Sequence, residues 1–125
     1  MNKRILVVDD EADILVTLQK RLEVKGYNVS TATSGHEALG LIRQARPDLI
    51  ILDVMMPGMD GTDLAQSLRL DPLTEMIPII FLTALQTKKD EAAGGPIISG
   101  EVVLAKPFEA KKLLSQVESL LGKTA

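Results

Sequence analysis

Four apolar runs in this chain each stop at a chemically useful residue. Ile5-Leu6-Val7-Val8 runs into Asp9-Asp10, Leu49-Ile50-Ile51-Leu52 into Asp53, Ile79-Ile80-Phe81-Leu82 into Thr83, and Val102-Val103-Leu104-Ala105 into Lys106. Short unbroken runs rich in β-branched residues suit strands buried on both faces of a parallel sheet. Ligands of such sheets bind beyond the carboxyl ends of the strands, so the four stops predict one rim that shares carboxylates, a hydroxyl and an amine.

The segments between the runs read as helices. Ile14, Leu15, Leu18 and Leu22 share one helical face, and the segment closes at Gly26, a residue suited to a left-handed helix stop. Tyr27, Val29 and Thr31 then alternate with polar or small neighbours, the pattern of an exposed edge strand. Ser34-Gly35-His36-Glu37 fits a capping box that opens a helix carrying Ala38, Leu39 and Ile42. Pro57-Gly58-Met59-Asp60-Gly61 reads as a turn into a helix bearing Leu64 and Leu68, with Asp60 as its cap. Leu113, Leu114, Val117, Leu120 and Leu121 form the clearest apolar stripe, in the last helix. The alternation is α/β, a doubly wound (βα)5 sandwich with a parallel sheet and helices on both faces. Its fourth helix, over residues 86–93, is short or irregular, because Gly94-Gly95-Pro96 stops any continuation.

A chain of 125 residues has the length of a single domain, read here as residues 1–125. Lacking cysteine, it has no disulfides, thiol catalysis or thiolate metal sites. Four apolar residues after Lys3 and Arg4 are too few for a signal-peptide core, and no apolar run approaches the roughly eighteen residues of a membrane helix. A cytoplasmic protein without membrane contact is expected. The net charge of −3, with no basic stripe, argues against nucleic acid as a direct ligand.

Convergence of Asp9, Asp10 and Asp53 has a cost. Two carboxylates about 4 Å apart repel by roughly 4 kcal/mol at an effective dielectric near 20, so the cluster needs a cation or a shifted protonation state. Oxygen donors without His or Cys favour a hard ion, Mg²⁺ first and Mn²⁺ next. A carboxylate facing a metal and Lys106 is equipped for in-line attack on phosphorus, with Thr83 donating to a third oxygen. The product is an aspartyl-phosphate. Other polar and soft residues have plainer readings: Met55, Met56 and Met59 as turn and core packing, His36 as a surface residue, and Lys88-Lys89-Asp90-Glu91 as a solvated charge run.

Val7-Val8-Asp9-Asp10, Leu52-Asp53-Val54-Met55-Met56-Pro57-Gly58-Met59-Asp60-Gly61, Leu82-Thr83-Ala84 and Lys106-Pro107-Phe108 occur in an order and spacing that resembles the receiver domain of bacterial two-component response regulators. The resemblance covers the whole chain. It implies a flavodoxin-like, five-stranded parallel sheet of order 2-1-3-4-5. It further implies that Asp53 accepts a phosphoryl group from a sensor histidine kinase or phosphotransfer protein. Asp10 and Asp53 would bind Mg²⁺ directly with the backbone carbonyl of Met55, Asp9 mainly through a bound water. Lys106 would pair with Asp53 or the phosphoryl oxygens, and Thr83 would move as the switch. Such a domain is a signalling protein, not an enzyme with turnover, and is expected to be a monomer or weak dimer acting on an unidentified downstream effector.

Two departures from the family pattern bear on output. Val103 stands where many relatives have Tyr or Phe, and Gly94-Gly95-Pro96 interrupts the region of the fourth helix. They support an alternative, a phosphorylation-independent interaction module. A phosphohydrolase with an Asp nucleophile is a further alternative, weakened because Met55 stands where such enzymes place a second Asp. Met55 and Leu85 also occupy positions that flank the path of the hydrolytic water in this family. Both are apolar, which implies slow self-dephosphorylation.

Overall fold

The computed structural model describes residues 2–56, 58–83, 102–106 and 108–122. The elements are β1 (Arg4–Val8), α1 (Ala12–Val24), β2 (Asn28–Ala32), α2 (Gly35–Gln44), β3 (Leu49–Asp53), α3 (Gly61–Leu70), β4 (Ile79–Thr83), β5 (Val102–Ala105) and α4 (Ala110–Leu121). Every strand pair is parallel, and the order is β2-β1-β3-β4-β5, the expected flavodoxin-like arrangement. The helix expected over residues 86–93 and the Gly94-Gly95-Pro96 break lie outside the described residues, as do Pro57, Ala84, Leu85 and Pro107. Among the described residues, no helix is long and apolar enough to cross a membrane.

The two-residue period of a strand sorts the apolar runs into two cores. Leu6, Val8, Ile50, Leu52, Ile79 and Phe81 face α2 and α3, where Ala38, Ile42, Leu64 and Leu68 meet them. Ile5, Val7, Leu49, Ile51, Ile80 and Leu82 face α1 and α4, against Leu15, Leu18, Leu22, Leu113 and Val117. Runs without polar interruption are therefore what this sheet demands, since each residue of β3 and β4 is buried on one face or the other. Each buried Leu or Ile contributes about 1.5–3 kcal/mol relative to exposure. β2 shows the edge-strand alternation, with Val29 buried between exposed Asn28 and Ser30. The stripe of α4 is wider than the surface it buries, because Leu113 and Val117 are buried whereas Leu120 is 38% exposed.

Helix starts follow local chemistry. Ser34 Oγ accepts from Glu37 N–H at 3.1 Å, and the Glu37 carboxylate accepts from the N–H of Thr33, one residue before the partner of an ideal capping box. Asp60 caps α3, its Oδ1 accepting from Asp63 N–H at 3.0 Å and from the Thr62 hydroxyl at 2.7 Å. α1 ends in Gly26, whose φ of 96° is left-handed.

Gly61 carries a stricter demand. Its N–H donates to Val54 O at 2.9 Å, and a Cβ at this position would collide with the Asp53 carbonyl and sit 2.9 Å from Val54 Cα. These are backbone atoms that cannot give way, so only glycine lets α3 start against the end of β3. Gly40, by contrast, lies inside α2, where an added Cβ would meet nothing within 4 Å. We expect Gly61→Ala to lower the unfolding free energy by on the order of 2–3 kcal/mol and Gly40→Ala to raise it by roughly 0.5–1 kcal/mol. Urea denaturation of the two variants checks this; equal effects of one sign would contradict it.

Candidate functional site

Strand register brings the four stops together. Val8 is level with Leu52, so Asp9 falls one step beyond, beside Asp53. Asp53 is level with Leu82, and Thr83 with Ala105, which leaves Lys106 one step past the end of β5. Backbone hydrogen bonds carry the ladders past the strand ends: Asp9 N–H donates to Ala32 O at 3.1 Å, Val54 N–H to Leu82 O at 2.9 Å and Lys106 N–H to Thr83 O at 2.8 Å. The rim is thus as rigidly placed as the sheet itself.

Alternation assigns sides. Asp53 continues the Leu49-Ile51 row facing α1 and α4, and Thr83 continues the Ile79-Phe81 row facing α2 and α3. Asp9, Asp53 and Thr83 are buried, Asp10 is exposed, and Lys106 retains 13% side-chain exposure. Asp9, Asp10 and Asp53 each offer a carboxylate oxygen within 4.8 Å of the others. Lys106 Nζ lies 2.9 Å from Asp9 Oδ2, 3.3 Å from Glu11 Oε1 and 3.4 Å from Asp53 Oδ2. Its nearest partner is Asp9 rather than Asp53. Met55 supplies its backbone N–H, 3.3 Å from Asp53 Oδ1, while its side chain is exposed.

Glu11 is a member that sequence reasoning does not single out. It is the N-cap residue of α1, yet its side chain makes no capping bond and extends to Lys106 instead. Its N–H donates to Asp9 Oδ1 at 2.9 Å, which ties the loop to the buried carboxylate. Adjacency to Asp9-Asp10 was the available signal. Gly61, read as part of a turn, likewise proves to fix the backbone at the end of β3; a turn signature does not reveal close approach of two backbones.

Three carboxylates share the Lys106 ammonium and Asp10 adds a fourth to the cluster, which leaves a surplus of negative charge. Burial pushes the Asp53 carboxyl up to about 6, Asp9 adds to the push, and Lys106 and the Met55 N–H hold it back. Burial draws the Lys106 amine down, but Asp9, Asp53 and Glu11 outweigh it, leaving the amine above its ordinary value. Asp60, outside the cluster, sits below the usual carboxylate range because Thr62 and Asp63 donate to it.

The donor set fits a hard divalent cation. Asp9 Oδ2 is a buried acceptor that no well-aligned hydrogen bond reaches, its contact with Lys106 being ionic, and the clustered donors are all oxygens.

A family model described as the response regulator receiver domain matches residues 5–118. The chain belongs to this receiver domain family. As a receiver domain it is a component of two-component phosphorelay signalling, in which such domains take phosphoryl groups from histidine kinases. It is 41% identical over 124 residues to the alkaline phosphatase synthesis transcriptional regulatory protein PhoP of Bacillus subtilis, covering 99% of this chain and 50% of that protein. It spans about half the length of the curated relatives it matches. The signal receiver domain of a histidine kinase from Syntrophus aciditrophicus superposes with a TM-score of 0.85 at 34% identity, covering 98% of this chain and 92% of that one. Vibrio cholerae chemotaxis protein CheY4 gives 0.83 at 33% identity, covering 97% and 100%.

The elevated Asp53 carboxyl has a consequence for stability. In the unfolded receiver domain Asp53 ionises near 3.8, in the folded one near 6, so as pH rises between these values the unfolded state sheds its proton first and the fold loses stability. Asp53→Asn cannot ionise. In EDTA, the melting temperatures of wild type and Asp53→Asn should be close below pH 3.8 and diverge in favour of the variant by about pH 6, and Mg²⁺ should close the gap by raising the wild type. A gap independent of pH would contradict the assignment.

Proposed function

We propose that this receiver domain is a phosphorylation switch whose acceptor is Asp53, loaded from the phosphohistidine of a sensor histidine kinase or phosphotransfer protein. The observation that carries the reading is the Asp53 carboxylate, buried in reach of both Lys106 and the Asp9-Asp10 pair. Asp9, Asp10, Asp53 and the backbone carbonyl of Met55 would hold Mg²⁺, which when bound offsets the charge of the carboxylates and of the phosphoryl oxygens.

The chain's own residues do the rest. An Asp53 oxygen attacks phosphorus in line, and the backbone bonds at Val54 and Gly61 keep that carboxylate where the strand ends. Lys106, held 3.4 Å from Asp53 before transfer, shifts to the phosphoryl oxygens as their charge develops beside it. The Thr83 hydroxyl donates from the opposite row, so a phosphoryl group on Asp53 is gripped from both sides of the sheet rim. Movement of Thr83 would then alter the β4 end. Phe81, two residues back and fully buried, is level with Val103 on β5.

Incubation with a small phosphodonor and Mg²⁺ should place one phosphoryl group on Asp53, seen by mass spectrometry after borohydride trapping, and Asp53→Asn should remain unlabelled. Label on another residue, or none, would overturn the reading. Because exposed Met55 offers no polar group to orient a water beside the acceptor, Met55→Asn should speed loss of the label severalfold. An unchanged or slower loss would sink that part.

A further inference from the structure

The position of Glu11 has a chemical consequence for the choice of phosphodonor, an inference that rests on Asp53 being the acceptor. Its side chain is 61% exposed, makes no capping bond, and is drawn over the site by Lys106 at 3.3 Å. Together with Lys106, Ile14 and Phe108 it lines an open groove of about 540 Å³ that runs along α1 as far as Arg21, beside the start of α4, with the lysine at its Glu11 end. The groove's other charged group, Arg21, lies ten residues along α1 from Glu11, about 15 Å of helix away. The entrance nearest the lysine is therefore marked by a carboxylate on an otherwise largely apolar wall.

Transfer forms a bond between an Asp53 oxygen and phosphorus and breaks the bond between phosphorus and the donor atom, which keeps the electron pair. In a protonated N–P donor, such as phosphohistidine or phosphoramidate, the leaving nitrogen group is cationic before transfer and departs as a neutral amine or imidazole. In an acyl phosphate the leaving oxygen starts neutral and departs as a carboxylate anion. The Glu11 carboxylate at the entrance, held there by Lys106 before transfer and released as Lys106 turns to the phosphoryl oxygens, attracts the first donor as it binds and repels the charge that develops on the second.

We propose that Glu11 is a specificity-determining residue that favours N–P phosphodonors over acyl phosphates through the charge of the leaving group. Lys106 keeps the Glu11 carboxylate at the groove mouth, and the same contact leaves Lys106 within reach of Asp53. Both functions follow from one ammonium shared among three carboxylates.

Initial rates of Asp53 labelling by phosphoramidate and by acetyl phosphate, with Mg²⁺ at fixed ionic strength, test this in the wild type, Glu11→Gln, Glu11→Asp and Glu23→Gln. Glu23 is exposed on the far end of α1 and controls for net charge. The ratio of acetyl phosphate to phosphoramidate rates should rise about threefold to tenfold in Glu11→Gln, as expected for one charge removed near the reacting centre. It should stay near the wild-type value in Glu11→Asp and Glu23→Gln. An unchanged ratio in Glu11→Gln, or an equal rise in Glu23→Gln, would overturn the inference while leaving Asp53 as the acceptor. If the wild type is labelled by neither donor, the acceptor reading fails and this inference fails with it.

Discussion

Asp9 and Asp53 are buried carboxylates at neighbouring strand ends with one ammonium set between them, and the rest of the architecture answers to that concentration of charge. Parallel register makes them neighbours: once Val8 is level with Leu52, Asp9 has nowhere else to go. The core supplies the energy that holds them there. Buried Leu and Ile side chains on both faces of β3 and β4 stabilise the sheet enough to hold like charges within 4.8 Å of one another, a placement that Coulomb repulsion opposes. The surplus negative charge that remains is the physical reason the site fits a hard cation.

Lys106 is central because it is shared. It stands closest to Asp9, yet Glu11 and Asp53 are only slightly farther, so no single partner locks it. A group bound among these carboxylates would redistribute that one charge at small cost. The backbone, in contrast, is fixed. Ladder bonds at Asp9, Val54 and Lys106, with Gly61 pressed against the end of β3, leave side chains rather than main chain to respond.

Much of this was legible in the sequence for physical reasons. A sheet buried on both faces needs uninterrupted apolar runs, and such runs advertise both the strands and the residues at which they stop, so Asp9, Asp53, Thr83 and Lys106 can be grouped from the string alone. Asp60 as a cap was equally plain, since its chemistry is local. Other features depend on distance in space. Nothing in the string shows that Lys106 would prefer Asp9, that Glu11 would abandon its helix cap for that lysine, or that Gly61 lies against the Asp53 carbonyl. The stripe of α4 promised burial of Leu120, which is 38% exposed.

The central claim is that Asp53 carries the phosphoryl group while the neighbouring carboxylates hold the cation. A crystal structure of the chain soaked with Mg²⁺ and beryllium fluoride, a phosphoryl mimic, tests it most directly. The account predicts the mimic bonded to an Asp53 oxygen, a cation held by Asp9, Asp10, Asp53 and the Met55 carbonyl, and Lys106 turned from Asp9 toward the fluorides. A mimic bound elsewhere, or a cation away from these carboxylates, would contradict it.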